Sequence, residues 1–565
     1  MTSLVLGPLL RHVDEVSASI WVEVDGPARV RVTTEGGPSA EAASFAVHGH
    51  HYAMVCLDGL ERGRRYPYVV TVDDEVVWPD PGSDLPPSVV PTLDHGKPLR
   101  LAYGSCRTSV GHDEKGNATH GVDALRAFAL RMAGLTDAGA DDPDRSHGDG
   151  PRWPDLVAFL GDQVYADETT KEMQAFIEQR RGLDSEPGDE LKDYEEYAHL
   201  YRLAWSDPVN RWLLSTLPSL MIFDDHDIRD DWNTSRAWKD EMEATSWWHD
   251  RIVGGLASYW VYQHLGNMTP SERADDAIWS LVVEHADEPG FDVSDVLDAF
   301  ADRADQEPTS YRWSFARDLG PQARLVVVDS RAARVLEDDE RSILDDEELA
   351  WLDGQLRGDV DHLLVATSLP FLLAPGLHYV EAFSEALAGG GWGRRLTGLG
   401  EKIRQTVDLE HWAAFQKGFG EVARMTLEVG RGERGRAPAT ITFLSGDVHH
   451  SYLSAVKPLP GVRSRILQAV CSPIRNPLSR KWRFATAALS YGVAGPLGHV
   501  VARSAKVPDA PFSWRLVEGP WFDNNLAVLE VHGEGIRLWW ATGKVEDDVD
   551  RPRLVRVSDV SIDCP

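Results

Sequence analysis

Cysteine is scarce: Cys56, Cys106, Cys471 and Cys564 are spread over 565 residues. That spacing forms neither a disulfide framework nor a zinc-finger pattern. Basic residues are outnumbered, 57 Lys and Arg against 90 Asp and Glu, for a formal net charge of −33. So acidic a chain argues against bulk nucleic-acid binding. It leaves an anionic small substrate open, because bound cations reverse the field inside a single cleft. No uninterrupted apolar run reaches the roughly 20 residues that span a bilayer, so no transmembrane segment is expected. The first residues carry neither a basic leader nor a long apolar stretch, and a cytoplasmic location is expected. What is abundant is core material: 42% hydrophobic residues and 20 tryptophans exclude wholesale disorder.

Residues 1–93 alternate with strand period, and 17–24 and 28–32 read as half-buried strands. The stretch from Leu57 to Val70 resembles the strand–turn–strand of a fibronectin type III sandwich, with Tyr66 as the corner tyrosine that bonds back to the backbone. The module lacks a cluster of catalytic residue types and reads as a packing or positioning domain. Residues 79–87 look like its exit linker.

From residue 98 to 545 an apolar strand, a chemical loop and a helix recur. The first strand runs from Leu99 to Cys106 and others end near Leu160, Phe223, Val328, Thr367 and Leu444, with helices between them at 122–132 and 193–205. This predicts layered α/β architecture with ligands at the carboxyl ends of the strands. Residues 141–150 and 181–190 read as acidic surface loops, and 546–565 as a C-terminal tail. No internal repeat is present.

Three strand ends carry concentrated chemistry. The run Phe223–Asp231 holds five aspartates with His226 and Arg229. So many carboxylates need positive charge to offset their repulsion, which points to bound cations. Gly161-Asp162-Gln163-Val164-Tyr165 places an aspartate able to bridge two cations and, three residues on, a phenol able to fold back as a ligand. Taken alone, a βα turn with a capping aspartate fits it equally well. Gly446-Asp447-Val448-His449 sets a carboxylate and an imidazole two residues apart on one side of an extended segment. Cys106 ends the first strand of this region, after Gly104 and Ser105, where a thiolate would be a strong ligand. Thiolate, phenolate, imidazole and bridging carboxylate together favour trivalent iron, and an all-oxygen neighbour would suit calcium.

Gly104-Ser105-Cys106, Gly161 to Asp167, Asp224-Asp225-His226-Asp227 and Ser445 to His449, in this order, resemble the PhoD-like (alkaline phosphatase D) branch of the calcineurin-like metallophosphoesterases. The resemblance implies a four-layer αββα sandwich behind a fibronectin type III-like β domain, with a bimetal centre at its apex. It implies Fe3+ held by Cys106, Asp162, Tyr165 and His449. It implies Ca2+ held by Asp162, Asp447 and Asp225, which matches the asparagine of the superfamily's Gly-Asn-His-Asp/Glu, with Asp230 as a further oxygen ligand. The expected activity is hydrolysis of a phosphate ester, monoester or diester, by metal-activated water. His226 would protonate the leaving oxygen or contact the phosphate, and Arg229 would brace a non-bridging oxygen or pair internally with the surrounding aspartates. The remaining acids of the run are expected to orient these groups. Two departures stand out: Ser105-Cys106 replaces the superfamily's Asp-x-His, and no histidine occurs around Ala366–Pro370, where a second-metal ligand is usual.

Asp329 and Arg331 read as a structural pair in preference to a supporting layer behind the ligands. Trp232, Trp238, Trp247, Trp248 and Trp260 read as core rather than as an aromatic wall over substrate. The apolar stretch 484–502, flanked by Arg480, Lys481, Arg483 and Arg503, reads as a buried or lid segment in preference to a peripheral membrane helix. Membrane contact would favour a phospholipase D-like or teichoic-acid-type phosphodiesterase. A catalytically silent metal-binding scaffold is disfavoured by the intact ligand set.

Overall fold

The apolar runs pair, in a computed structural model, into two large sheets whose inner faces share one core. The structure describes residues 2–136, 152–337, 340–388, 410–478, 483 and 494–563, without the side chains of 494–497. The first sheet has six strands in the order Ser219–Ile222, Leu156–Leu160, Arg100–Gly104, Leu526–His532, Gly535–Lys544 and Arg553–Ile562. The first three run parallel and the last three antiparallel. The second sheet has seven, with Ala323–Val328, His362–Thr367, Thr440–Ser445 and Arg465–Val470 forming its parallel centre.

Strand period decides which face goes where. On the second sheet Leu325, Val327, Leu364, Ala366 and Leu444 enter the core shared with the first sheet. Their neighbours Val326, Val328, Leu363, Val365, Ile441 and Phe443 pack under the helices Asp346–Gln355 and Gln416–Arg431. Helix Ala124–Met132 covers the outer strands of the first sheet. The layers are therefore helix, sheet, sheet, helix, as the resemblance implies. All the parallel strands deliver their carboxyl ends to one edge of this sandwich.

Residues 2–93 form a β-sandwich of their own. Its inner faces, Ile20, Val30, Val32, Val55, Tyr66, Val70 and others, make a separate core. Tyr66 turns the expected corner, its hydroxyl accepting the Glu61 backbone N–H at 2.9 Å. Strand Arg29–Thr34 is half-buried, as expected, but Ser17–Val24 is buried along its whole length. Its second face, with Trp21, Tyr52 and Met54, packs into the core of the larger domain, so no solvated face remains. The buried Arg11 guanidinium donates to the carbonyls of Tyr262 and Gln263, both at 2.7 Å, gripping a π-helical turn, Trp260–His264.

One further expectation changes, and two are filled in. Residues 546–565 are no tail, since Arg553–Ile562 is the edge strand of the first sheet. Loop 181–190 is tied down at both ends, Arg181 by Glu196 and Glu190 by Arg229 and Arg251. The apolar stretch is partly visible as helix Ala494–Ser504, which lies against helix Pro375–Ala388 with Ala502 buried beside Ala382. Residues 141–150 and 484–493 lie outside the described residues. The five tryptophans are buried, as read. Among the described residues no helix is long and apolar enough to cross a membrane.

Candidate metal centre

Ser105 and Leu160, from the first sheet, and Gly446, from the second, meet where the two sheets' carboxyl ends converge. A Cβ on Gly446 would lie 2.0 Å from Ser105 Oγ and 3.0 Å from the Leu160 carbonyl. A Cβ on Gly161 (φ +102°) would lie 2.6 Å from Asp224 Cβ. Glycine at both positions lets the loops close on one another. Beyond them Cys106, Asp162, Asp447 and His449 all have positive φ, 58°, 51°, 62° and 49°. Side-chain-bearing residues rarely take that conformation, and it collects where function over-determines the backbone.

The loops bring together two groups of ligand atoms that share one residue. Sγ of Cys106, a carboxylate oxygen of Asp162 and a ring nitrogen of His449 lie within 4.8 Å of one another. Carboxylate oxygens of Asp162, Asp224, Asp225 and Asp447 form a second such group, also within 4.8 Å. Tyr165 is buried beside the first group, where Cys106 and Asp162 are its charged neighbours. A third cluster, Asp225, His226 and Asp230, lies at the more open side.

Two carboxylate oxygens in this space, Asp162 Oδ1 and Asp224 Oδ2, are buried without a hydrogen-bond partner. A buried polar atom left unpaired costs about 1–3 kcal/mol, more if charged, so two such oxygens within one group of carboxylates call for a cation. Titration tells the same story. Burial, then Asp224, pushes the Asp162 carboxyl well above the ordinary carboxylate range. Burial lifts Asp224 to about 6 even with Arg331 beside it. Burial, then the Asp162 and Asp447 charges, pushes the Cys106 thiol up, and burial lowers His449 to about 4, leaving a neutral imidazole. Cations in this space would reverse the acid and thiol shifts, since a metal-bound thiol is deprotonated outright. The donor set fits a metal centre.

The surroundings orient these donors. Asp227 Oδ2 accepts the backbone N–H groups of Asp162 and Asp224, both at 2.9 Å, and its Oδ1 accepts from Gln263 of the π-helical turn at 3.2 Å. Asp167 holds His226 Nδ1 at 2.9 Å. Burial alone would lower the His226 pKa, but the charges of Asp167 and Asp225 outweigh it and hold the imidazole protonated. Its Nε2 lies 3.9 Å from Asp230 Oδ1.

Cys106, Asp162, Tyr165, Asp225, Asp447 and His449 thus assemble as the motifs suggest, with His226 and the more exposed Asp230 beside them. Arg229 does not join them. Its Nε bonds Glu190 Oε2 at 3.0 Å, and its guanidinium lies over Trp247 at 5.6 Å. The phosphate brace is thereby corrected to an internal ion pair, and the partner is a loop glutamate instead of the neighbouring aspartates. Asp224, expected only to orient other groups, belongs to the second group itself. Asp329 and Arg331 do not pair through their side chains. Asp329 caps the backbone N–H groups of Arg331, Ala332 and Ala333. The fully buried Arg331 guanidinium reaches Asp224, Asp225 and Glu410. Glu410 and His411 follow no motif, and only the fold brings them here; the acidity around Asp224 was visible in the sequence.

A thiol–carboxylate–imidazole group and a four-carboxylate group that share Asp162, at the joined carboxyl edges of a helix–sheet–sheet–helix sandwich, form a candidate two-metal centre. The comparisons agree and are more specific. Residues 149–506 match the PhoD-like phosphatase family, and residues 1–90 match a domain of unknown function, DUF7800. The chain belongs to the PhoD-like phosphatase family. It is a metal-dependent hydrolase of phosphoric esters, and its substrate is a phosphate ester. Among solved structures it is similar to that of PhoD, at 12% identity and a TM-score of 0.57, covering 99% of this chain and 90% of that one. A purple acid phosphatase, PPD1 from yellow lupin (Lupinus luteus) seeds, aligns at 10% identity over 98% of this chain and 74% of that one, with a TM-score of 0.45. No curated protein matches the sequence.

Proposed function

We propose that the first subsite, Cys106, Asp162, Tyr165 and His449, holds Fe3+ and that the second, Asp162, Asp224, Asp225 and Asp447, holds Ca2+. The carrying observation is Asp162, shared by both groups and buried with an oxygen that nothing bonds. A thiol, a phenol and an imidazole suit iron, and four carboxylates suit a hard divalent ion. When bound, such ions supply neutralisation of phosphoryl charge and acidification of water.

The protein's own groups do the rest. Asp227 and the glycine-permitted turns fix the donors before substrate arrives, which limits the reorganisation left for the reaction. His226, held at Nδ1 by Asp167, keeps a proton on Nε2 facing the open side, where a leaving ester oxygen needs one. Asp230, the more exposed member of the third cluster, lies beside it and would offer a further oxygen ligand. The substrates proposed are phosphomonoesters and phosphodiesters, with the subsites acting on the phosphoryl group common to both. The N-terminal sandwich, whose Tyr66 corner supports the fibronectin type III-like reading, serves as a brace through Arg11 and the π-helical turn. Among the described residues Cys56, Cys106 and Cys471 are free, which supports a reducing compartment.

Elemental analysis with a visible spectrum, beside hydrolysis of p-nitrophenyl phosphate and bis-p-nitrophenyl phosphate, tests this reading. A phenolate-to-iron charge-transfer band that vanishes in Tyr165→Phe is expected. An iron-free, colourless and fully active protein would overturn the iron assignment. No hydrolysis of either ester with metals bound would overturn the catalytic one.

A further inference from the structure

The second subsite's ligands come from both sheets, Asp224 and Asp225 from the first and Asp447 from the second. Two consecutive residues outside every motif, Glu410 and His411, reach both sets. His411 Nε2 bonds Asp447 Oδ2 at 2.8 Å, and its Nδ1 bonds Glu381 Oε1 at 2.7 Å. Among the described residues no group bonds the other oxygen of Asp447. Glu410 engages Arg331, with Nη2–Oε1 at 2.5 Å, and Arg334, at 3.3 Å. Arg331 in turn contacts Asp224 and lies 3.0 Å from Asp225 Oδ1. Glu381, Glu410 and His411 are all buried.

The first subsite has other supports. Cys106 Sγ lies 3.2 Å from Ser472 Oγ and 3.1 Å from Ser105 Oγ, the His449 backbone N–H donates to Ser472 Oγ, and Asp227 holds the Asp162 backbone. Neither Glu410 nor His411 bonds Cys106, Tyr165 or His449 among the described contacts.

We propose that Glu381, Glu410 and His411 are positioning residues for the second subsite alone. Through His411 they hold Asp447, and through Arg331 they hold Asp224 and Asp225, so that the subsite takes a divalent cation. The physics has two parts. A ligand carboxylate that accepts one firm hydrogen bond keeps one orientation and presents its remaining oxygen, and outer contacts of this kind govern metal affinity. A buried guanidinium beside two ligand carboxylates, Asp224 and Asp225, opposes a cation unless its charge is offset, and Glu410 lies where it offsets it. The histidine whose absence near Ala366–Pro370 marked a departure from the superfamily thus has a counterpart from elsewhere in the chain, acting one bond further out.

The inference rests on the metal-centre reading, and one titration separates the two. Full-length protein freed of divalent ions by a calcium-selective chelator, with its iron left in place, is titrated calorimetrically with calcium, and iron content and the visible band are recorded on the same samples. His411→Leu is expected to weaken calcium binding about 10–100-fold while iron content and the band persist. His411→Gln, which keeps a donor toward Asp447, is expected to stay within about fivefold of the parent, and Glu381→Gln to fall between them. The persisting iron band reports that a variant is folded. Calcium affinity unchanged in His411→Leu and Glu381→Gln overturns the proposal, as does equal loss of both ions. A parent protein that takes up no second ion overturns the metal-centre reading itself. If His411→Leu does not fold, Glu381→Gln decides: unchanged calcium affinity overturns the relay, and weakened affinity with intact iron supports it.

Discussion

Arg331→Met isolates the electrostatic design of the centre. Arg331 is wholly buried, and it neutralises Asp224, Asp225 and, with Arg334, Glu410. Removing one partner of a buried ion pair costs about 3–5 kcal/mol, because the other charge is left without compensation. Here Glu410 keeps Arg334 and Asp225 keeps the neighbouring His226, while in metal-free protein Asp224 loses the cation it is bonded to. Asp224 titrates at about 6 with Arg331 present, so without it the carboxyl takes up a proton near neutral pH. That escape caps the loss, and about 3 kcal/mol is expected at pH 8. The sign of the pH dependence follows. A carboxyl whose folded pKa is raised above its unfolded value contributes stability at low pH and loses it as pH rises through the folded pKa. The Arg331→Met penalty should therefore shrink from pH 8 to pH 5. Urea unfolding of chelated protein at both values measures it. A double-mutant cycle with Glu410→Leu should return a coupling of about 1–3 kcal/mol. A variant within about 1 kcal/mol of the parent at pH 8, or one harmed more at pH 5, would refute the reasoning.

Asp227→Ala leaves the backbone N–H groups of Asp162 and Asp224 buried and unpaired, so a loss of about 2–5 kcal/mol is expected by chemical denaturation. Asp227→Asn, which keeps an acceptor oxygen, should lose less than half as much. Tyr66→Phe removes the partner of the Glu61 N–H and should cost about 1–2 kcal/mol in thermal unfolding, with hydrolysis unchanged. His50 stands between Glu23 and Glu195, whose pull outweighs burial and raises its pKa above 6.5. Its contribution, on the order of 1 kcal/mol, is present below pH 6.5 and lost as pH rises through the raised value. His50→Gln should flatten that part of the Tm–pH profile, and an unchanged slope would count against it.

The residues that declared themselves in the sequence were those whose chemistry and order are local. A strand that runs into Gly-Asp, or into Gly-Asp-x-His, announces its ligands by residue type and order, but strand period does not fix where they point: the strands end at Leu160 and Ser445, and Asp162, Asp447 and His449 turn with positive φ instead of continuing an extended segment. Cys106, Asp162, Tyr165, Asp225, Asp447 and His449 are thus legible as candidates, and it is the four motifs together, in order, that carry the resemblance naming them as ligands. What was not legible depends on long-range packing. Strand Ser17–Val24 alternates like a half-buried strand, yet a second domain covers its open face. Arg229 lies inside the acidic run, but Glu190 takes it, from a loop that reads as mere surface. Arg331, Glu410 and His411 are ordinary residues until the two sheets close. The edge strand Arg553–Ile562 alternates weakly and pairs only because Gly535–Lys544 offers it an edge.

Asp162 is the most direct test, since it is the one residue common to both subsites. Its carboxyl is crowded by Asp224, Asp227 and Asp447, so Asp162→Asn should leave chelated protein as stable as the parent or more so. On the same variant, metal content and hydrolysis of p-nitrophenyl phosphate and its diester decide the matter. The expected result is loss of the second ion, weakened retention of the first, and a fall in kcat/KM of about 10³-fold or more, about 4 kcal/mol. A folded Asp162→Asn protein that keeps both ions and hydrolyses either ester at the parental rate would contradict the shared-carboxylate centre.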